Sequence, residues 1–164
     1  MSDTAPAQPP LVLNIQYTKD LSFEVPNAPA IYTLLRSAPQ VSINLDVQVR
    51  RIQEDQNVYE VTLAARAEGT IPAPAANGAT EEKPMVVFIA DIAYSGIFTL
   101  NGIPDNQQEP ILLVECPRLL FPFARNILAD VTRDGGFPPV MLGPIDFVGL
   151  WQSRRAQAAA AACP

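Results

Sequence analysis

The chain reads as an α+β domain, a four-stranded antiparallel sheet followed by two helices packed on one face. Three observations predict it. Apolar residues alternate with polar or small ones over residues 11–25, 41–49 and 59–67, and an apolar run of strand length covers residues 85–98. After residue 110 the period changes: Leu120, Phe123, Ala124, Ile127, Leu128 and Val131 recur at the i, i+3, i+4, i+7 spacing of a helix face. Between these stretches stand turn-forming segments, among them the polar QEDQN at residues 53–57 and the helix-ending Gly135–Gly136.

Residues 1–10, rich in Pro, Ala and small polar residues, predict a disordered tail. In the first strand Leu11, Leu13, Ile15, Tyr17, Leu21, Phe23 and Val25 share odd parity, with a bulge or break expected near Lys19. Asp20, Ser22 and Glu24 then stand on the opposite face, the two acids about 13 Å apart at roughly 3.3 Å per residue. The connector at residues 26–39 is bracketed by prolines and can hold a short helical turn between Ala30 and Arg36; Ile31, Tyr32, Leu34 and Leu35 make it unusually apolar. Val41, Ile43, Leu45, Val47 and Val49 alternate cleanly with polar residues. They pair as a hairpin with Tyr59, Val61, Leu63, Ala65 and Ala67, leaving one face wet.

Residues 69–83 read as a flexible loop of Pro, Ala and Gly at a hairpin tip. The fourth strand comes next. Phe88, Ala90, Ile92 and Tyr94 lie on one face, Val87, Ile89, Asp91 and Ala93 on the other, and Asp91 alone breaks the apolar pattern. A strand apolar on both sides points either to subunit association, with Phe88, Ala90, Ile92 and Tyr94 at the interface, or to cover by its own loops. A turn region at residues 101–108 leads through Ile111–Val114 into the first long helix, which Pro117 and Pro122 must start, break or kink because neither has an N–H to donate. Residues 137–144 are extended and Pro-rich. Asp146 is a fitting N-cap for a last helix whose stripe is Phe147, Leu150 and Trp151. That helix frays into an Ala-rich tail, residues 152–164. The expected organisation is one domain, residues 11–151, with the helices on one face of a meander.

Composition excludes much. A formal charge of −6 over 164 residues disfavours nucleic acid and anionic membrane surfaces. There is no histidine, hence neither the commonest general base nor the commonest metal ligand. Two cysteines, Cys116 and Cys163, make neither a disulfide framework nor a zinc site, and Cys116 reads as a small buried apolar residue. No phosphate-cradling GxxxxGK[ST] or GxGxxG occurs. No secretory signal opens the chain and no apolar run is long enough to span a bilayer. No catalytic, metal or cofactor residues are assigned. The expectation is a cytoplasmic binding protein rather than an enzyme.

Two features remain, exposed acids on strands and apolar connectors at 31–35 and 137–142, which either pack on the core or line a groove. Here YTKDLSFEVPNAP, residues 17–29, resembles the YxKDxSFExPxxP opening of the SecB family of bacterial protein-export chaperones. VYEVTL (58–63), SGIF (95–98), CPRLLFPFARNIL (116–128) and GGFPPVMLGPIDFVGL (135–150) come after it in order, so the resemblance covers about Leu11 to Trp151. The 69–83 loop and the Ala-rich tail carry no family motif. The resemblance implies an ATP-independent holdase, a homotetramer built as a dimer of dimers, that binds unfolded precursors and delivers them to the SecA ATPase. Asp20, Glu24, Ile89 and Asp91 are the residues it implies in SecA contact, with Asp91 where the family often has Glu. Residues 136–144 and the last helix correspond to its peptide-binding region. From the residues themselves the groove is expected to be lined by Ile31, Tyr32, Phe137, Val140, Met141, Leu142, Leu150 and Trp151. The rival reading is a SecB-like scaffold or chaperone serving a dedicated toxin–antitoxin pair.

Overall fold

The alternating runs become four strands in the computed structural model, which describes residues 7–73 and 83–162. They are β1 (Leu11–Glu24), β2 (Gln40–Gln53), β3 (Val58–Ile71) and β4 (Met85–Leu100). All neighbours are antiparallel, in the order β1-β4-β3-β2. The fold class is as predicted, but the strand order is not a meander throughout. β2, β3 and β4 run consecutively, while β1 crosses to the far edge and pairs with β4. That placement sets Leu21 against Ile92 and Phe23 against Ala90 on the face that the helices cover. The crossing connector holds α1 (Ile31–Leu34), the expected short helical turn.

β1 does not keep one parity. Its pairing with β4 skips Asn14 and again Lys19. Each extra residue flips the faces of the residues beyond it. Leu11 and Leu13 therefore face the helices, opposite Leu100 and Phe98. Ile15 and Tyr17 face the other way, opposite Ile97 and Ser95, and Leu21 and Phe23 return to the helix side. The break near Lys19 agrees with the sequence; the one at Asn14 corrects the single odd-numbered face.

The helical half is longer than expected. α2 (Asp105–Pro110) begins inside the expected turn region 101–108 and runs past it, and Ile111–Glu115 form a π turn that joins it to α3 (Cys116–Asp134). The wide turn falls directly before Pro117, where a missing N–H would interrupt a regular ladder. Gly136, at φ +88, provides the left-handed stop. Asp146 Oδ1 accepts the Gly149 N–H at 3.0 Å and so caps α4 (Phe147–Ala162). α4 continues to Ala162 instead of fraying at residue 152, because the alanine run has the highest helix propensity available. Likewise β3 runs to Ile71, so residues 69–71 of the expected 69–83 loop are strand; residues 74–82 of that loop, like 1–6 and 163–164, lie outside the described residues.

α3 packs on β4 and β3, and this decides the fate of the expected interface residues. Phe88, Ala90, Ile92 and Tyr94 are buried in the chain's own core. The Tyr94 ring stacks on Phe123 of α3 at 5.8 Å, and Phe88 lies 5.3 Å from Phe137 and 5.9 Å from Phe23. The assignment of these four to subunit contact is therefore corrected. β4 is apolar on both faces because it is a central strand, crowded by β1 and β3 even on the side without helices.

Candidate functional site

The helix-free face of the sheet gathers the four residues expected to meet a partner. In the β1–β4 register Asp20 stands opposite Ala93, Ser22 opposite Asp91 and Glu24 opposite Ile89. Asp20, Glu24, Ile89 and Asp91 thus share one face across two adjacent strands. β3 adds Arg66 opposite Asp91, and β2 adds Asn44 and Asp46 opposite Arg66 and Ala64. Arg66 donates to Asp91 at 2.9 Å with both side chains part exposed. Sequence reading does not assign Arg66 or Asp46. Their even parity in the β2–β3 hairpin puts them on the wet face, but only the strand order brings that face beside Asp20 and Asp91.

Nearer the other end of the same face the chemistry differs. Glu60 is buried although no helix covers it. Lys19 Nζ donates to its carboxylate at 2.7 Å and the Tyr17 hydroxyl donates to the second oxygen. These two donors, Lys19 first, hold the Glu60 carboxyl below its ordinary range, and burial followed by the Glu60 contact pushes the Tyr17 phenol up. The bulge at Lys19 allows this, since it lets Tyr17 and Lys19 converge on one acid. Thr62 and Ser95 share a hydroxyl hydrogen bond of 2.7 Å beside them. Burial pushes the Cys116 thiol up to about 12, consistent with a packed apolar residue. Among the described residues no three His, Cys, Asp or Glu side chains gather as metal ligands, and no helix is long and apolar enough to cross a membrane.

The eight expected groove residues do not form one groove. Ile31 is 0% and Phe137 4% exposed, so both are core residues, sealed under the connector and against Phe88. They are corrected from lining to platform. Tyr32 stacks on Phe137 at 5.5 Å, donates to the Gly135 carbonyl at 2.7 Å, and stays 45% exposed. Met141 is 69% exposed and with Val140 lines a hollow of about 260 Å3 beside Pro39 and Val41. Leu150 and Trp151 line a separate pocket of about 250 Å3 with Val47 and Leu113. Leu142, half-buried, packs toward both core clusters and lines neither hollow. The result is two separate apolar hollows on the helix side, only one of them lined by the extended segment 137–144, with the acids on the reverse side of the sheet.

A family model described as preprotein translocase subunit SecB matches residues 4–158. The chain belongs to the SecB family. It is 77% identical to the protein-export protein SecB of Acidiphilium cryptum, over 96% of this chain and 95% of that one. It is 66% identical to that of Granulibacter bethesdensis, over 92% and 85%. Among solved structures it is similar to the SecB-like chaperone of Mycobacterium tuberculosis in complex with a ChAD peptide from the HigA1 antitoxin. The TM-score there is 0.61 at 14% identity, covering 83% of this chain and 91% of that one. At that identity the likeness concerns the SecB fold alone.

Proposed function

We propose that this SecB-family protein is an export chaperone of the bacterial cytoplasm that holds unfolded precursors without ATP and delivers them to SecA. The observation that carries the reading is the convergence of Asp20, Glu24, Ile89 and Asp91 on one helix-free sheet face, on adjacent strands with Glu24 directly opposite Ile89. A flat acidic surface with an apolar residue in it suits a basic, partly apolar segment of a partner. Such pairing raises the on-rate and sets specificity, and salt weakens it. The relatives named protein-export protein SecB support the same duty. The reading assigns no catalysis.

Client capture rests on the two hollows. Each buries little, at roughly 25 cal/mol per Å2 of apolar surface, so one hollow alone binds weakly. Several on one assembly, engaging a single long client, gain through effective concentration. The exposed Met141 and Tyr32 offer adaptable contacts. The assembly is a homotetramer, a dimer of dimers. With Phe88, Ala90, Ile92 and Tyr94 in the core, the outer side of α3, where Leu119 and Phe123 remain exposed, is a better candidate for subunit contact.

Asp20→Lys combined with Glu24→Lys should abolish calorimetric binding of SecA while suppression of unfolded-client aggregation persists. Unchanged affinity for SecA would remove the docking assignment. Light scattering should give about 71 kDa, four chains of 17.8 kDa; a stable monomer at micromolar concentration contradicts the tetramer.

A further inference from the structure

We infer that the docking face extends across the sheet to Asp46, and that a basic segment seated there loosens α4 from the edge of β2. This rests on the docking reading above and deepens it. A shallow basin of about 590 Å3 occupies the helix-free face. Asp20, Asp46 and Asp91 line it, and Arg66 is the one basic residue among its lining side chains. Ala64 and Ala93 leave its floor low, so an extended polypeptide can lie close to the backbone. The charge complement of this surface is a lysine- or arginine-rich segment.

Asp46 is not free in the basin. Its carboxylate pairs with Arg154, which comes from α4 on the opposite side of the sheet. To reach it, Arg154 passes round the edge of β2 and donates to the Leu45 carbonyl at 3.1 Å and the Val47 carbonyl at 3.4 Å. β2 is an edge strand, so carbonyls two residues apart on its outer side have no strand partner. One guanidinium thus satisfies two edge carbonyls and one basin acid. On the helix side the same residue lines the pocket formed by Val47, Leu113, Leu150 and Trp151. Beyond Trp151, every described residue of α4 is exposed except Arg154. Arg154 is therefore the last anchor of the helix that walls the pocket, and its anchor point is an acid on the docking face.

A polycation that takes Asp46 competes with Arg154. Linkage is reciprocal: what docking does to the clasp, the clasp does to docking. The pair is partly solvent-exposed, so removing Arg154 should tighten docking by about 1.5- to 5-fold, the range of an exposed ion pair.

Trp151 is the sole tryptophan and sits one helical turn from Arg154, its indole N–H 3.2 Å from Glu109. A decalysine peptide is titrated into the full-length protein, with calorimetry and Trp151 emission recorded together. In the wild-type protein binding and a red shift should share one midpoint. Arg154→Ala should be red-shifted from the start, bind the peptide 1.5- to 5-fold more tightly, and show no further shift. Asp46→Asn should be red-shifted without peptide and bind it more weakly. Wild-type protein that binds with Trp151 unmoved, or Arg154→Ala that still responds as wild type, overturns the coupling. Absence of any peptide binding to wild type removes the basic-segment docking reading and the coupling with it. Asp46→Asn with wild-type emission refutes the clasp on its own.

Discussion

Between Phe88 and Tyr94 the two faces of β4 alternate residue by residue, and they have opposite fates. Phe88, Ala90, Ile92 and Tyr94 are sealed beneath the chain's own helices, whereas Ile89, Asp91 and Ala93 remain on an open surface. On the covered side, what matters is volume and ring packing. On the open side, what matters is a flat surface and a part-exposed carboxylate, Asp91, paired with Arg66. Neighbouring residues, 88 and 89, therefore answer to different physics. Apolar character alone does not distinguish a core from an interface; the position of the helices does.

Four substitutions sharpen that contrast, the largest effect first and paired with its neighbour on the other face. Phe88→Ala removes a ring packed on Phe23 and Phe137 and should cost about 3–5 kcal/mol, read as a fall in denaturant midpoint. Ile89→Ala, one residue on, should cost under about 1 kcal/mol yet weaken SecA binding. If the two cost the same stability, the division into covered and open faces is wrong.

Glu60→Gln should cost about 1–2 kcal/mol through its charge-assisted hydrogen bonds. The folded carboxyl titrates below its ordinary value of 4.5. Its contribution is therefore complete above that pH and lost as pH falls through the lower, folded value. Wild-type stability should drop in that acid window more steeply than that of Glu60→Gln; parallel curves exclude the cluster. Arg66→Ala should change stability by no more than about 1 kcal/mol, since the pair is half-exposed. It leaves Asp91 unpaired and should tighten SecA docking with a steeper salt dependence. Weaker docking would mean that Arg66 itself contacts the partner.

The sequence displays the four strands, the helix stop at Gly135–Gly136 and the Asp146 cap because each depends on neighbours a few residues away. Strand parity alone made it legible that Asp20 shares a face with Glu24 and Ile89 with Asp91; a partner role for the four comes only from the family motifs. Three things were hidden. Strand order depends on where a long connector leads, so the meeting of Asp46 and Arg66 with Asp20 has no local signal. The burial of Ile31 and Phe137 depends on their stacking under one another's segments, over a hundred residues apart. The length of α4 was masked because exposed alanines have no apolar stripe to mark a face.

The spare residue at Lys19 sets the phase of β1. Side chains upstream and downstream of it are half a repeat out of step, which is why Tyr17 and Asp20 can look out from the same side. Excising Lys19 would force one half to turn over: either Tyr17 abandons Glu60, or Asp20 and Glu24 rotate inward while Leu21 and Phe23 meet water. A replacement there costs a single amine; a one-codon deletion scrambles an entire face.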